Sequence, residues 1–175
     1  MKKSSYFSRF LFWWGKQKMV YFVLISFVLY FVIMIVVYNF FSLCLKNIDE
    51  SSRYLSSKNF DENSNYFIGF IISCVASPFL ETIIFQNILV RFTRRYISKK
   101  EVWQVLLPAL CFGLIRHFNL FYILSGIIIG IFFTYCFILY EKHTDTNRAT
   151  IAVTVTHAFI NCVPFFKNVF LNVLS

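Results

Sequence analysis

The chain has 175 residues, 58% hydrophobic and 14% charged, with a mean hydropathy of +0.66. Water-soluble domains run about 45–50% apolar and about 25% charged, and a chain this short has too little polar surface to cover so apolar a core, which excludes a soluble globule and leaves lipid as the solvent. Lysine and arginine (17) outnumber aspartate and glutamate (8), but the basic residues lie between long apolar runs and form no basic face, which argues for membrane topology and against nucleic acid.

Along the chain, Tyr6 to Trp14 is aromatic and flanked by Lys3, Arg9, Lys16 and Lys18, the makeup of a helix lying in the headgroup region, so residues 1–18 read as a cytosolic or interfacial segment. Met19 to Leu45 runs 27 residues without a charge, more than the roughly 20 a transmembrane helix needs. It ends in Phe40-Phe41-Ser42-Leu43-Cys44 with no small-residue cleavage site, so it is expected to remain in the mature protein as the first span, 19–45. Residues 46–65 form an external loop whose Ser/Asn-rich part, 51–65, is the one linker-like stretch. Residues 66–175 form a helical membrane core of four further runs: Tyr66 to Val90, broken only by Glu81; Val102 to Ile115; Leu120 to Tyr140; and Thr150 to Val173. The run from Val102 is short for a full crossing and is expected to tilt, bend or re-enter. The predicted fold is all-α, a polytopic transmembrane helix bundle of about five spans plus an N-terminal interfacial helix. No internal repeat is visible.

Charge sets the orientation, because lysine and arginine in short flanking segments stay in the cytosol. Residues 1–18 carry five basic groups and no acidic one, and residues 91–101 carry Arg91, Arg94, Arg95, Lys99 and Lys100 against Glu101, whereas 46–65 is mixed. The N-terminus is therefore expected inside, in a multi-pass protein of a bacterial cytoplasmic membrane. Five cysteines, Cys44, Cys74, Cys111, Cys136 and Cys162, each sit in an apolar stretch without a C-x-x-C pair, and read as small buried hydrophobes.

Ionisable groups inside the membrane cost a few kcal/mol and usually face the bundle interior or a wet cavity. Glu81 follows Pro78 by three residues; the proline kinks or restarts the helix, with Ser77 as its cap. Glu81 either does chemistry or pairs with an arginine on another helix for structure alone. Thr150, Thr154, His157 and Asn161 recur at intervals of four, three and four, one polar stripe that must face protein. His157 and Asn161 can hold an oxyanion together, or hydrogen-bond between helices. His117, beside Arg116, is the third candidate; His143 lies in a loop and is assigned to solvent. At 1.5 Å per residue, Glu81 lies about 15 Å, His157 about 12 Å, Asn161 about 18 Å and His117 about 21 Å from the cytosolic boundary, one band in which they can meet. Gly126 and Gly130 at small-x-x-x-small spacing let another helix approach closely.

Three motifs on successive runs, Glu81-Thr82-Ile83-Ile84-Phe85-Gln86, Phe112-Gly113-Leu114-Ile115-Arg116-His117 and His157-Ala158-Phe159-Ile160-Asn161, resemble the CPBP (CAAX protease and bacteriocin-processing, or Abi) family of intramembrane endopeptidases. The family patterns are E-E-x-x-x-R, F-x-x-x-H and H-x-x-x-N, and the likeness covers about residues 66–165. Here Thr82 replaces the second Glu, Gln86 replaces the Arg, and Arg116 stands four residues after Phe112 with His117 one later. The resemblance implies an intramembrane endopeptidase acting on membrane-associated peptides or proteins. Glu81 would activate water with His117, and His157 and Asn161 would steady the oxyanion. It implies no cofactor, although one Glu and two His could instead hold a catalytic zinc. The partners implied are the lipid bilayer and a peptide or protein substrate. Other readings are a catalytically degenerate relative with a binding or bacteriocin-immunity role, and a small transporter, which would show inverted repeats and paired broken helices.

Overall fold

The computed structural model describes residues 6–44, 65–116 and 120–174. Six helices make up the described residues: α1, Tyr6–Gly15; α2, Met19–Cys44; α3, Tyr66–Ile97; α4, Glu101–Leu114; α5, Leu120–Glu141; and α6, Thr146–Leu174. The chain is an all-α membrane helix bundle. Helices α2, α3, α5 and α6 are long and apolar enough to cross a membrane, while the 14 residues of α4 reach about 21 Å, short of a hydrocarbon core of about 30 Å. The five apolar runs are thus four full-length spans and one short helix. Residues 46–64 of the expected external loop, and His117, lie outside the described residues.

Two helix ends differ from their apolar runs for local reasons. Helix α3 continues past Val90 to Ile97, so Arg91, Arg94 and Arg95 ride on its last turns. Helix α6 begins at Thr146, where Asp145 Oδ1 accepts the Arg148 N–H at 2.9 Å, satisfying a donor that would otherwise be orphaned at the helix start. His143, assigned to solvent from the sequence, is half-buried: Phe12 of α1 meets its ring edge-on at 5.3 Å and Gly15 lies directly against it. Trp14 anchors the same helix by stacking on Phe22 at 5.4 Å, and Phe22 meets Tyr140 at 4.2 Å.

Helices α4 and α5 form an antiparallel hairpin made close by small residues on both sides. Gly130 faces Ala109, and Gly126 faces Gly113, so the small pair predicted on α5 meets a second small pair on α4. A Cβ on Gly130 would lie 2.9 Å from the Ala109 Cα, and one on Gly126 would lie 3.0 Å from the Gly113 Cα. Backbones this near gain dispersion contacts that larger side chains would prevent, which is how helices associate where lipid removes the hydrophobic drive. At the basic end, Arg94 bonds Glu141 at 2.7 Å and Gln104 at 3.0 Å, Thr146 bonds Glu141 at 2.8 Å, and Lys142 pairs with Glu101 at 2.7 Å. This network ties the ends of α3, α4, α5 and α6 together, and so sets the heights at which the polar groups inside the bundle meet.

Candidate active site

Helix α3 is wound unusually. The α-helical turn Ser77–Glu81 lies between two wider π-helical stretches, Ile71–Ala76 and Thr82–Ile88, a winding that is rare and tends to occur at functional sites. Pro78 leaves one carbonyl of this helix open to a neighbour. In the π stretch the Ser77 N–H bonds back five residues to the Ile72 carbonyl. The next such bond would run from residue 78 to the Ser73 carbonyl, but proline has no N–H to give. The Ser73 carbonyl accepts instead from Asn161 Nδ2 of α6 at 3.0 Å. Ser77, expected as a helix cap, makes no cap bond; its hydroxyl donates to Glu81 Oε1 at 2.6 Å, one turn along.

That bond holds one carboxylate oxygen and leaves the other for the bundle interior. Glu81 Oε2 is buried without a hydrogen-bond partner, 3.6 Å from an Arg116 guanidinium nitrogen and 3.8 Å from His157 Nε2. Both gaps exceed a direct hydrogen bond and are short enough for one water molecule to bridge. The His157 side chain is 2% exposed, with its ring 4.4 Å from Phe133 and 6.3 Å from Phe112. Phe112 also carries the Arg116 guanidinium over its face at 4.7 Å and meets Phe85 edge-on at 5.3 Å. One aromatic ring therefore aligns the cation by its quadrupole and backs the histidine. On the far side of Arg116, its Cδ would lie 3.1 Å from a Cβ built on Gly126; the α4–α5 hairpin leaves room for the arginine stem only because position 126 has no side chain.

A scan of the chain against protein families matches residues 63–163 to the type II CAAX prenyl endopeptidase Rce1-like family. The chain belongs to that family. Comparison with curated proteins and with solved structures gave no match. Membership in a CAAX endopeptidase family, with four helices able to cross a membrane, makes this an integral membrane protein of protease type.

Of the residues singled out in the sequence, the fold brings Glu81 and His157 together and holds Asn161 one turn further along α6, tied to the Ser73 carbonyl. From the second motif, Arg116 is the residue found beside Glu81. This is the arginine partner that the structural reading of Glu81 requires. Ser77, Ser73 and Phe112 complete the surroundings of the site. The i, i+4 spacing of Ser77 with Glu81 and of Phe112 with Arg116 is visible in the sequence, and was the available signal for both contacts. In the first motif of this Rce1-like chain, Thr82 and Gln86 point into protein and are buried, Gln86 to 1% exposure.

A zinc ion needs three or more nitrogen, oxygen or sulfur ligands. Among the described residues no three His, Cys, Asp or Glu side chains are grouped to hold a metal. The third group beside Glu81 and His157 is a guanidinium, which has no lone pair to offer and repels a cation. Glu81 and His157 are two members of the one-Glu, two-His set, and His117, the third, lies outside the described residues.

Proposed function

We propose that this Rce1-like protein is an intramembrane endopeptidase that hydrolyses peptide bonds of membrane-associated peptides or proteins with a water activated by Glu81. The observation that carries this reading is the position of Glu81 Oε2, unbonded between Arg116 and His157 while Ser77 pins the other oxygen. A water hydrogen-bonded to Oε2 beside either neighbour sits within reach of a carboxylate base. Glu81 takes one proton from it, the hydroxide oxygen bonds to the scissile carbonyl carbon, and the carbonyl π electrons move onto oxygen. As Glu81 becomes neutral, the negative charge reappears on that oxyanion. Arg116 keeps its charge throughout, and with an N–H of His157 and the second Asn161 amide hydrogen it stabilises the oxyanion. The carbon–nitrogen bond then breaks, Glu81 returns its proton to the leaving nitrogen, and the products are a carboxylic acid and an amine.

The Arg116–Glu81 ion pair, together with Thr82 and Gln86 where the family pattern has Glu and Arg, favours one second reading: a catalytically silent relative that binds a peptide or acts in immunity. Cleavage of a membrane-embedded peptide library by the purified protein separates the two. The protease reading expects cleavage that chelator leaves unchanged, and that is lost in His157→Ala and Arg116→Ala. His117→Ala, run alongside, decides whether the neighbouring histidine also takes part. A well-folded wild type that binds library peptides and cleaves none would establish the second reading. The basic end bearing Arg91, Arg94 and Arg95 is proposed to face the cytosol of a bacterial cell, with the N-terminus on the same side.

A further inference from the structure

Three contacts join α3 to α6 in antiparallel order: Ser73 with Asn161, Glu81 with His157, and Asn87 with Thr150, whose Oγ accepts from Asn87 Nδ2 at 3.0 Å. Between the last two contacts lie residues 82–86 of α3 and 151–156 of α6. In this layer Thr82 Oγ1, both polar ends of the Gln86 amide and Thr154 Oγ1 are buried without a hydrogen-bond partner. Thr134 Oγ1 of α5 and His157 Nδ1 are in the same condition. Phe133, the neighbour of Thr134, lies on the His157 ring, which puts Thr134 at the same height.

These groups had an easier choice. A helix hydroxyl in an apolar setting can donate to the carbonyl one turn back, and Ser26, Thr93, Thr150 and Thr156 all do so. Thr82, Thr134 and Thr154 do not. A buried primary amide with neither its donors nor its acceptor engaged is costlier still, because each unpaired polar group loses its hydration without return. Six such atoms on three mutually packed helices, offering both donors and acceptors, meet the need of buried water for two to four polar partners.

We propose that Thr82, Gln86, Thr134, Thr154 and His157 Nδ1 enclose a cluster of bound water molecules beside Glu81, and that this cluster supplies the water that Glu81 activates. The site itself stands on the buried atoms; its supply role rests on the protease reading above. Beyond the Asn87–Thr150 contact the polar line continues into Arg94, Gln104, Glu141 and Thr146 at the basic end.

The chain has three glutamines, Gln17, Gln86 and Gln104, so glutamine-selective 15N labelling of the full chain in lipid nanodiscs yields three side-chain amides, with Gln86 identified by its loss in Gln86→Leu. The cluster predicts direct magnetisation transfer from long-lived water to the Gln86 amide despite its burial, and its loss in the near-isosteric Thr82→Val/Thr154→Val double variant. A Gln86 amide without transfer from water overturns the site. The supply role predicts that the same double variant cleaves a membrane-embedded peptide with kcat lowered about tenfold, KM unchanged and thermal midpoint undiminished. A wet Gln86 together with an unchanged kcat in the double variant overturns the supply role. A wild type that cleaves nothing refutes the protease reading and the supply role with it, while the nanodisc spectra still decide the water site.

Discussion

Gly113→Ala tests the hairpin that delivers Arg116. A Cβ at position 113 would lie 2.7 Å from the Ile127 backbone nitrogen and 2.8 Å from the Ile123 carbonyl oxygen, and would overlap the Ile127 side chain outright. Ordinary van der Waals contact starts near about 3.5 Å, so α4 must move away from α5 by up to about 0.8 Å, and two of the three obstructing atoms are backbone, which cannot swing aside. Overpacking of this kind costs about 1–3 kcal/mol, equivalent to a shift of about 5- to 150-fold in the unfolding equilibrium. Equilibrium unfolding in lipid bicelles reads this directly, with Cys111→Ala on the exposed face of the same helix as a control expected within about 0.5 kcal/mol of wild type. The displacement also draws Arg116 off Glu81, so peptide cleavage is expected to fall along with stability. A Gly113→Ala protein as stable as wild type would refute the close α4–α5 approach, and with it the reason Arg116 reaches the carboxylate.

Other substitutions separate the roles of neighbouring groups. Ser77→Ala removes the bond that orients Glu81 and is expected to lower kcat about tenfold, with KM and thermal midpoint near wild type, as steady-state cleavage and melting curves would show. Arg116→Lys keeps the charge but not the planar stacking on Phe112, so cleavage should fall less than in Arg116→Gln; equal losses would mean the charge is not what matters. Arg94→Ala leaves Glu141 without its cation inside the network at the basic end and should destabilise the bundle by about 1–3 kcal/mol in the same unfolding assay. Because the Arg94 side chain is 40% exposed while Glu141 is 12% exposed, high salt should reduce part of that loss.

How much of this was legible in the residues differs by level. The uncharged stretch from Met19 and the run from Leu120 announce α2 and α5, because only a helix satisfies its own backbone in lipid. The pairing of His157 and Asn161 on one face follows from their spacing, and the Gly126/Gly130 pair announces a close neighbour. What the residues withheld is rotation and partner. One residue turns an α-helix by about 100°, so whether Arg116 reaches Glu81 depends on how α4 ends at Ile115 and on the space left by Gly126. The π-helical winding of α3 changes the phase of every position after Ile71, and the freed Ser73 carbonyl that captures Asn161 results from that winding combined with Pro78. The reach of α6 back to Thr146 needed the Asp145 cap, a polar signal outside the apolar run that marked the helix.

In the proposed mechanism the Glu81 carboxylate activates the hydrolytic water. The most direct measurement is cleavage of a membrane-embedded peptide in 18O-enriched water by wild type and by Glu81→Gln, matched for thermal stability. Wild type is expected to release a carboxylate carrying 18O, and Glu81→Gln, which keeps the shape but loses the base, is expected to cleave at least about a thousandfold more slowly. Cleavage by Glu81→Gln at the wild-type rate would contradict that mechanism.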